Sequence, residues 1–229
     1  GIPSYFSHIV RQHRKIIKEY KKSRMAIHNL YLDCNSFIYE SIHELNKKFK
    51  EQKPSANEME DEIIRLVCNK IASQLTDLKP TNNVLIAFDG VAPVAKLEQQ
   101  RNRRYKSWFE ERIMEQVDEK YERMLWDTAS ITPGTAFMGN LGKAVKRRFL
   151  NPKEFGLKRL MISDSNEVGE GEHKIYDYIR SNKVQHETTT TVVYGLDADL
   201  IILTLNHLNI APNMYLFRET PHFINSIDK

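Results

Sequence analysis

The stretch VVYGLDADLIIL sets Asp197 and Asp199 one residue apart between two apolar runs. Each carboxylate disfavours ionisation of the other, and such surroundings offer little water, so the pair calls for a compensating cation. Other acids follow short apolar runs in the same way. NLYLDCN reaches Asp33, VLIAFDG reaches Asp89, and LMISDSNEVGEGE passes Asp164 to reach Glu170 and Glu172. One such Asp is a common helix cap or turn former. Acids delivered by four separate runs are harder to assign to capping. Hard oxygen ligands select Mg²⁺ or Mn²⁺ over zinc, and two ions about 3.5–4 Å apart activate water and stabilise a leaving oxygen in phosphodiester cleavage. Asp33, Asp89, Glu170, Glu172, Asp197 and Asp199 are therefore read as metal ligands of a phosphoryl-transfer site.

A second constellation follows Asp89. If PVAKLEQQRNRRYKSW is helical, with Pro93 near its first turn, then Lys96, Gln100, Arg103 and Arg104 fall at i, i+4, i+7 and i+8. That spacing puts them on one face, where several donors can grip a terminal phosphate and arginines can do so bidentately. The alternative is a solvated basic face, or ion pairs with Glu110 and Glu111. Tyr39, six residues after Asp33, offers a ring on which a base can stack, or a core ring. His173 directly follows Glu172, but a lone His on a helix reads as structural and is left out of the site.

The elements that must position these groups alternate. Apolar, β-branched runs predict strands near His28–Leu32, Asn83–Phe88, Arg159–Ile162, Thr190–Tyr194 and Met214–Phe217. Helical periodicity predicts helices over Tyr5–Tyr20, Ser36–Phe49, Glu58–Leu78, Pro93–Met124, Gly134–Phe149, Gly171–Ser181 and Leu200–Leu208. The expected fold is α/β, a central and mostly parallel sheet flanked by helices. Open parallel sheets bind ligands beyond the carboxyl edge of their strands, which is where the acids fall. At 229 residues and 41% hydrophobic, the chain is long enough to bury a core, and a single domain over 1–229 is expected.

Charge and cysteine content narrow the class further. The net charge of +4 says little in total, but basic residues crowd Arg11–Arg24, Lys96–Lys106 and Lys143–Arg159, segments able to track a nucleic-acid backbone. Cys34 and Cys68 have no metal-site or disulfide-framework spacing. That cysteine usage suits a reducing compartment, so an intracellular protein is expected, and no apolar run approaches membrane-helix length, so no membrane role is expected.

The segments GIPSYFSHI, NLYLDCNSFIY, AFDGVAPVAKLEQQRNRRY, ITPGTAFM, GEGEHKI and YGLDADLIIL resemble, in order, those of the 5′→3′ exoribonucleases of the Xrn/Rat type, relatives of flap endonucleases and PIN-like nucleases. The resemblance runs from Gly1 to about Glu219. It implies a PIN-like, Rossmannoid nuclease domain that hydrolyses single-stranded RNA from a 5′-monophosphate end with Mg²⁺. The six acids match the family's metal ligands, and Lys96, Gln100, Arg103 and Arg104 match its phosphate pocket. Tyr39 stands where members usually carry a histidine that stacks on the first base, while Val94 and Val168 replace a usual basic residue and a proline. Typical members continue further and supply another metal-binding aspartate. Two other readings stay open: a catalytically degenerate member that binds RNA ends or serves a larger assembly, and a metal-dependent phosphatase.

Overall fold

A computed structural model describes residues 4–20, 25–49, 54–117 and 125–218. Its centre is a five-stranded sheet built from β1 (Asn29–Asp33), β2 (Asn83–Ala87), β3 (Arg159–Ser163), β4 (Thr191–Tyr194) and β5 (Met214–Phe217). The spatial order is β3-β2-β1-β4-β5, and every pairing is parallel. The chain order therefore reverses at β1. Successive strands step outward to β3 on one side, and then the chain returns to lay β4 and β5 on the other. Such a reversal leaves a crevice at the carboxyl ends of the two strands that flank it, here β1 and β4.

Alternation along the strands explains why both sheet faces are covered. Leu30, Leu32, Val84, Ile86, Val192 and Tyr194 point to one core, and Tyr31, Leu85, Ala87 and Val193 to a second. On the first face lie α2 (Asn35–Lys48), α3 (Ala56–Leu78) and α5 (Ala136–Arg148), which bury Phe37, Ile38, Ile63, Val67, Ile71, Leu141 and Val145. On the second lie α6 (Gly171–Ser181) and α8 (Asp199–His207), which bury Ile175, Tyr176, Ile179 and Leu200. Strands apolar on both faces are what a doubly covered parallel sheet requires. The Phe37 ring stacks on Tyr194 with centroids 4.9 Å apart, fixing α2 against β4. Beneath the second face, the Tyr31 hydroxyl meets His186 Nε2 at 2.7 Å, on α7 (Lys183–Thr188).

Local chemistry sets the helix starts. Ser55 and Glu58 form a reciprocal capping box at the start of α3. The TPGT of ITPGTAFM is likewise a cap: Thr135 Oγ1 accepts from Met138 N and donates to Ser130 O and Thr132 O. One expectation needs correction, and another is met as far as the described residues reach. The helix expected over Tyr5–Tyr20 is α1 (Tyr5–Gln12) followed by a 3₁₀ turn at Arg14–Ile16 and extended backbone at Ile17. Like charges four apart (Arg11 with Lys15, Arg14 with Lys18) and adjacent β-branched Ile16 and Ile17 disfavour continuation. The helix expected over Pro93–Met124 is α4 (Val94–Val117), and residues 118–124 lie outside the described residues. Among the described residues, no helix is long and apolar enough to cross a membrane.

Two substitutions separate a helix cap from the scaffold of the carboxyl edge. Gly90 N donates to Gly169 O and Gly169 N donates to Val91 O, which fastens the loop after β2 to the loop after β3. A Cβ at Gly90 would stand 1.7 Å from the Glu167 carbonyl oxygen. We expect Ser55→Ala to cost about 1 kcal/mol, and Gly90→Ala to cost more, about 1–3 kcal/mol, because backbone must shift. Calorimetric melting of the two variants checks the order; an equal or smaller shift for Gly90→Ala contradicts the close approach.

Candidate functional site

The acids reach one region because each leaves the carboxyl edge by a short path. Asp33 is the last residue of β1, Asp89 lies two residues past β2, and Glu170 and Glu172 open α6. Asp197 and Asp199 lie in the loop after β4 and at the start of α8. Asp33, Asp89 and Asp197 line a cavity of about 380 Å³ together with Asn35, Ser36, Tyr39, Gln100, Arg104, Ile131, Pro133 and Met138. The cavity sits at the β1/β4 crevice that the strand order creates. Its apolar wall comes from the capped turn before α5.

Close approach of α6 is made possible by Gly171. A Cβ there would lie 2.7 Å from Asp33 Oδ1, so a side chain would push the helix end off β1. Gly171 N instead donates to Asp89 Oδ1 at 2.7 Å, aiming the positive end of the helix at the acids. Asn35 holds the other side of Asp89: its amide donates to Oδ2 at 2.5 Å and its carbonyl oxygen accepts from Asp89 N. Lys174, one turn into α6, donates to Phe88 O and Asp164 O, both at 2.8 Å. That ammonium ties the ends of β2 and β3 together. Asp164 itself is paired with Lys146 at 2.7 Å and capped by Asn166, which places it in a structural role.

Electrostatics record the crowding. Burial, then the charges of Asp89 and Glu172, push Asp33 up to about 8, with a smaller contribution from Asp197 and an opposing one from the Asn35 backbone. Asp33 Oδ1 is closed to solvent and has no hydrogen-bond partner. Glu172 is also raised: burial is the largest cause, Lys96 and His173 oppose it, and Asp197 and Glu170 add to it. An orphaned carboxylate oxygen facing further carboxylates fits a divalent cation, because a cation bound to oxygen relieves both desolvation and repulsion once the proton has left. Glu170, Glu172 and His173 each offer one ligand atom, and these atoms lie within 4.8 Å of one another.

The basic constellation divides. Gln100 and Arg104 line the cavity, while Lys96 Nζ contacts Glu170 Oε2 at 2.6 Å and Glu172 Oε1 at 3.9 Å. The side chain of Arg103 lies outside the described residues. Tyr39 is 45% exposed on the cavity rim, so it is not a core ring. His173, set aside on sequence grounds, stands with Nε2 3.6 Å from Glu170 and 3.8 Å from Glu172. Its adjacency to Glu172 was the available signal, and one helical turn joins it to Glu170. Asn35 and Lys174 were missed because their role depends on backbone groups from other strands, which no spacing within one segment reveals.

Comparison with known proteins agrees with this geometry. The family described as XRN 5′-3′ exonuclease N-terminus matches residues 1–220. The chain is 37% identical over 218 residues to the 5′-3′ exoribonuclease 2 of Schizosaccharomyces pombe, covering 85% of this chain and 21% of that protein. It is 36% identical over 247 residues to the 5′-3′ exoribonuclease 2 of Saccharomyces cerevisiae, covering 90% and 24%. With the 5′-3′ exoribonuclease 1 of the same yeast it shares 32% over 236 residues, covering 97% and 15%. The chain thus spans about a quarter or less of the length of these relatives. By sequence match over nearly its whole length, with a parallel sheet whose carboxyl edge gathers the acids, this chain belongs to the XRN 5′-3′ exonuclease N-terminus family.

Proposed function

We propose that the chain carries the nuclease site of a 5′→3′ exoribonuclease acting on single-stranded RNA with a 5′-monophosphate. The observation that carries this reading is a single cavity in which Asp33, Asp89 and Asp197 face Gln100 and Arg104. Anionic ligands for metal on one wall and phosphate donors on the other suit a terminal phosphodiester. Asp33, Asp89, Glu170, Glu172, Asp197 and Asp199 would hold two Mg²⁺ or Mn²⁺ ions. Those ions, when bound, supply charge stabilisation at the scissile phosphate and an acidified attacking water.

The chain's own residues do the rest. Arg104 and Gln100, with Lys96 and Arg103, bind the terminal phosphate, and a site built for a monophosphate leaves little room for a triphosphate. Tyr39 offers its ring to the first base, contributing stacking that tolerates any base. Ile131, Pro133 and Met138 exclude water from the opposite wall. Asn35 and the Gly171 amide hold both oxygens of Asp89 in place, so that ligand does not reorganise as charge develops. The chain works inside the cell, where such RNA ends are exposed.

Asp197 is an exposed loop residue whose removal spares the core. Asp197→Ala is expected to abolish degradation of end-labelled, 5′-phosphorylated RNA in Mg²⁺ while leaving the melting temperature within a few degrees of wild type. The wild-type time course is expected to stop in EDTA and to slow greatly on triphosphorylated RNA. Full activity of the variant, or equal turnover of a small aryl phosphate by wild type, would overturn the assignment.

Asp33 gives a pH dependence. Its carboxyl titrates at about 8 when folded against 3.8 in the reference state, so between those values the folded chain binds the extra proton. Stability from this group is complete below the lower value and is lost as pH rises through the upper one. The melting temperature of the EDTA-treated chain is therefore expected to fall from about pH 4 to about pH 8 and to level off above that, with Mn²⁺ restoring most at the alkaline end. An Asp33→Asn variant that keeps the wild-type slope would show that another group is responsible.

A further inference from the structure

Lys96 departs from its companions on α4. Gln100, one turn further along, and Arg104, two turns further, line the cavity, whereas the Lys96 ammonium rests on the acids. The oxygens it uses are specific. Glu170 Oε2 lies 2.6 Å from Lys96 Nζ and 3.6 Å from His173 Nε2, and Glu172 Oε1 lies 3.9 Å and 3.8 Å from the same two atoms. These are the acids and the histidine that gather closely enough to hold a metal ion. The ammonium therefore stands where a divalent cation would be drawn. The Lys96 side chain is 41% exposed, while those of the two glutamates are 12% exposed. The anions are fixed and the cation that covers them is free to leave on a flexible four-carbon stem.

We propose that Lys96 is a built-in counterion of the metal-free cluster, displaced when a divalent ion takes Glu170 and Glu172, and that the released ammonium then turns to the terminal phosphate beside Gln100 and Arg104. This rests on the metal and 5′-phosphate reading above. Two positive charges on one pair of carboxylate oxygens repel each other strongly in a partly desolvated site. Metal occupancy and the Lys96–Glu170 contact are thus alternatives, and the metal shifts the population toward the outward lysine. Linkage makes the effect reciprocal: metal strengthens capture of a 5′-phosphate, and a bound 5′-phosphate strengthens capture of metal. An RNA end without its phosphate would leave the lysine on the glutamates and the metal poorly held. Discrimination between phosphorylated and hydroxyl ends then operates through assembly of the metal site as well as through direct contact.

The test is Mn²⁺ binding to the RNA-free chain, followed by the paramagnetic resonance signal of the free ion. Lys96→Met, which keeps an apolar stem and removes the competitor, is expected to bind Mn²⁺ roughly tenfold more tightly than wild type. Lys96→Arg, which keeps the charge, is expected to stay close to wild type. In a second arm, uridine 5′-monophosphate serves as a phosphate probe with no bond to cleave. Lys96→Met is expected to weaken its binding severalfold when Mn²⁺ is present and little when it is absent. Unchanged or weaker Mn²⁺ binding by Lys96→Met, or an equal loss of nucleotide affinity with and without Mn²⁺, overturns the counterion role. Glu170→Gln separates the two levels of failure. If wild type binds Mn²⁺ and Glu170→Gln abolishes it while Lys96→Met leaves it unchanged, only the counterion role falls. If wild type binds no Mn²⁺, or Glu170→Gln leaves binding intact, the metal reading falls and the inference with it.

Discussion

The structure is organised around a repulsion. Asp33, Asp89, Glu172 and Asp197 act on one another through space, and burial of Asp33 removes the water that would screen them. Left alone, the arrangement would drive its own loops apart. It is held because the strand reversal at β1 fixes where β1 and β4 end, and because those ends belong to strands packed on both faces. Packing of the two hydrophobic cores offsets the cost of this proximity, and a cation bound as proposed above would relieve it. Under that proposal the positioning that weakens the metal-free chain is also what would draw a cation to the site.

The two faces contribute differently. Helices α2, α3 and α5 form the larger core and bring forward the residues that border the cavity: Asn35, Ser36 and Tyr39 at the start of α2, and Met138 in the first turn of α5. Helices α6 and α8 form the smaller core and present their amino-terminal turns, carrying Glu170, Glu172 and Asp199, to the cluster. Helix α4 joins neither core, since none of its described side chains is buried. Its attachment to the site runs through charge, chiefly from Lys96 to Glu170. A helix secured by ion pairs rather than by packing can adjust when its counterions change.

Much of the architecture was legible because it is written in short-range pattern. The five strands were found with small end shifts, since alternating β-branched runs between turn residues have few other solutions. The acids were legible as a set because a parallel sheet makes strand ends coincide, even though no two of the segments are near in sequence. The first helix stops short of its apolar spacing because Arg11, Arg14, Lys15 and Lys18 repel one another along it. The supporting groups around Asp89 were harder to see. Asn35 closes NLYLDCN just before the helix expected from Ser36, and nothing local says that its amide reaches the loop after another strand. On the basic face, spacing alone could not distinguish the lysine on Glu170 from Gln100 and Arg104, which line the cavity. That division depends on how far each side chain stands from α6, a tertiary quantity.

Beyond the last paired residues of β2 and β3 the backbone ladder can no longer regulate distance, and the amine of Lys174 takes over that task by bridging the carbonyls of Phe88 and Asp164. The gap between the acid carried by the β2 loop and those carried by α6 thereby depends in part on the length of one lysyl stem, beside the Gly171 amide on Asp89 and the Gly90–Gly169 backbone bonds. Calibration of the anionic centre is thus shared by a side chain that contributes no oxygen, so an inventory restricted to oxygen donors would overlook a part that helps gauge their separation.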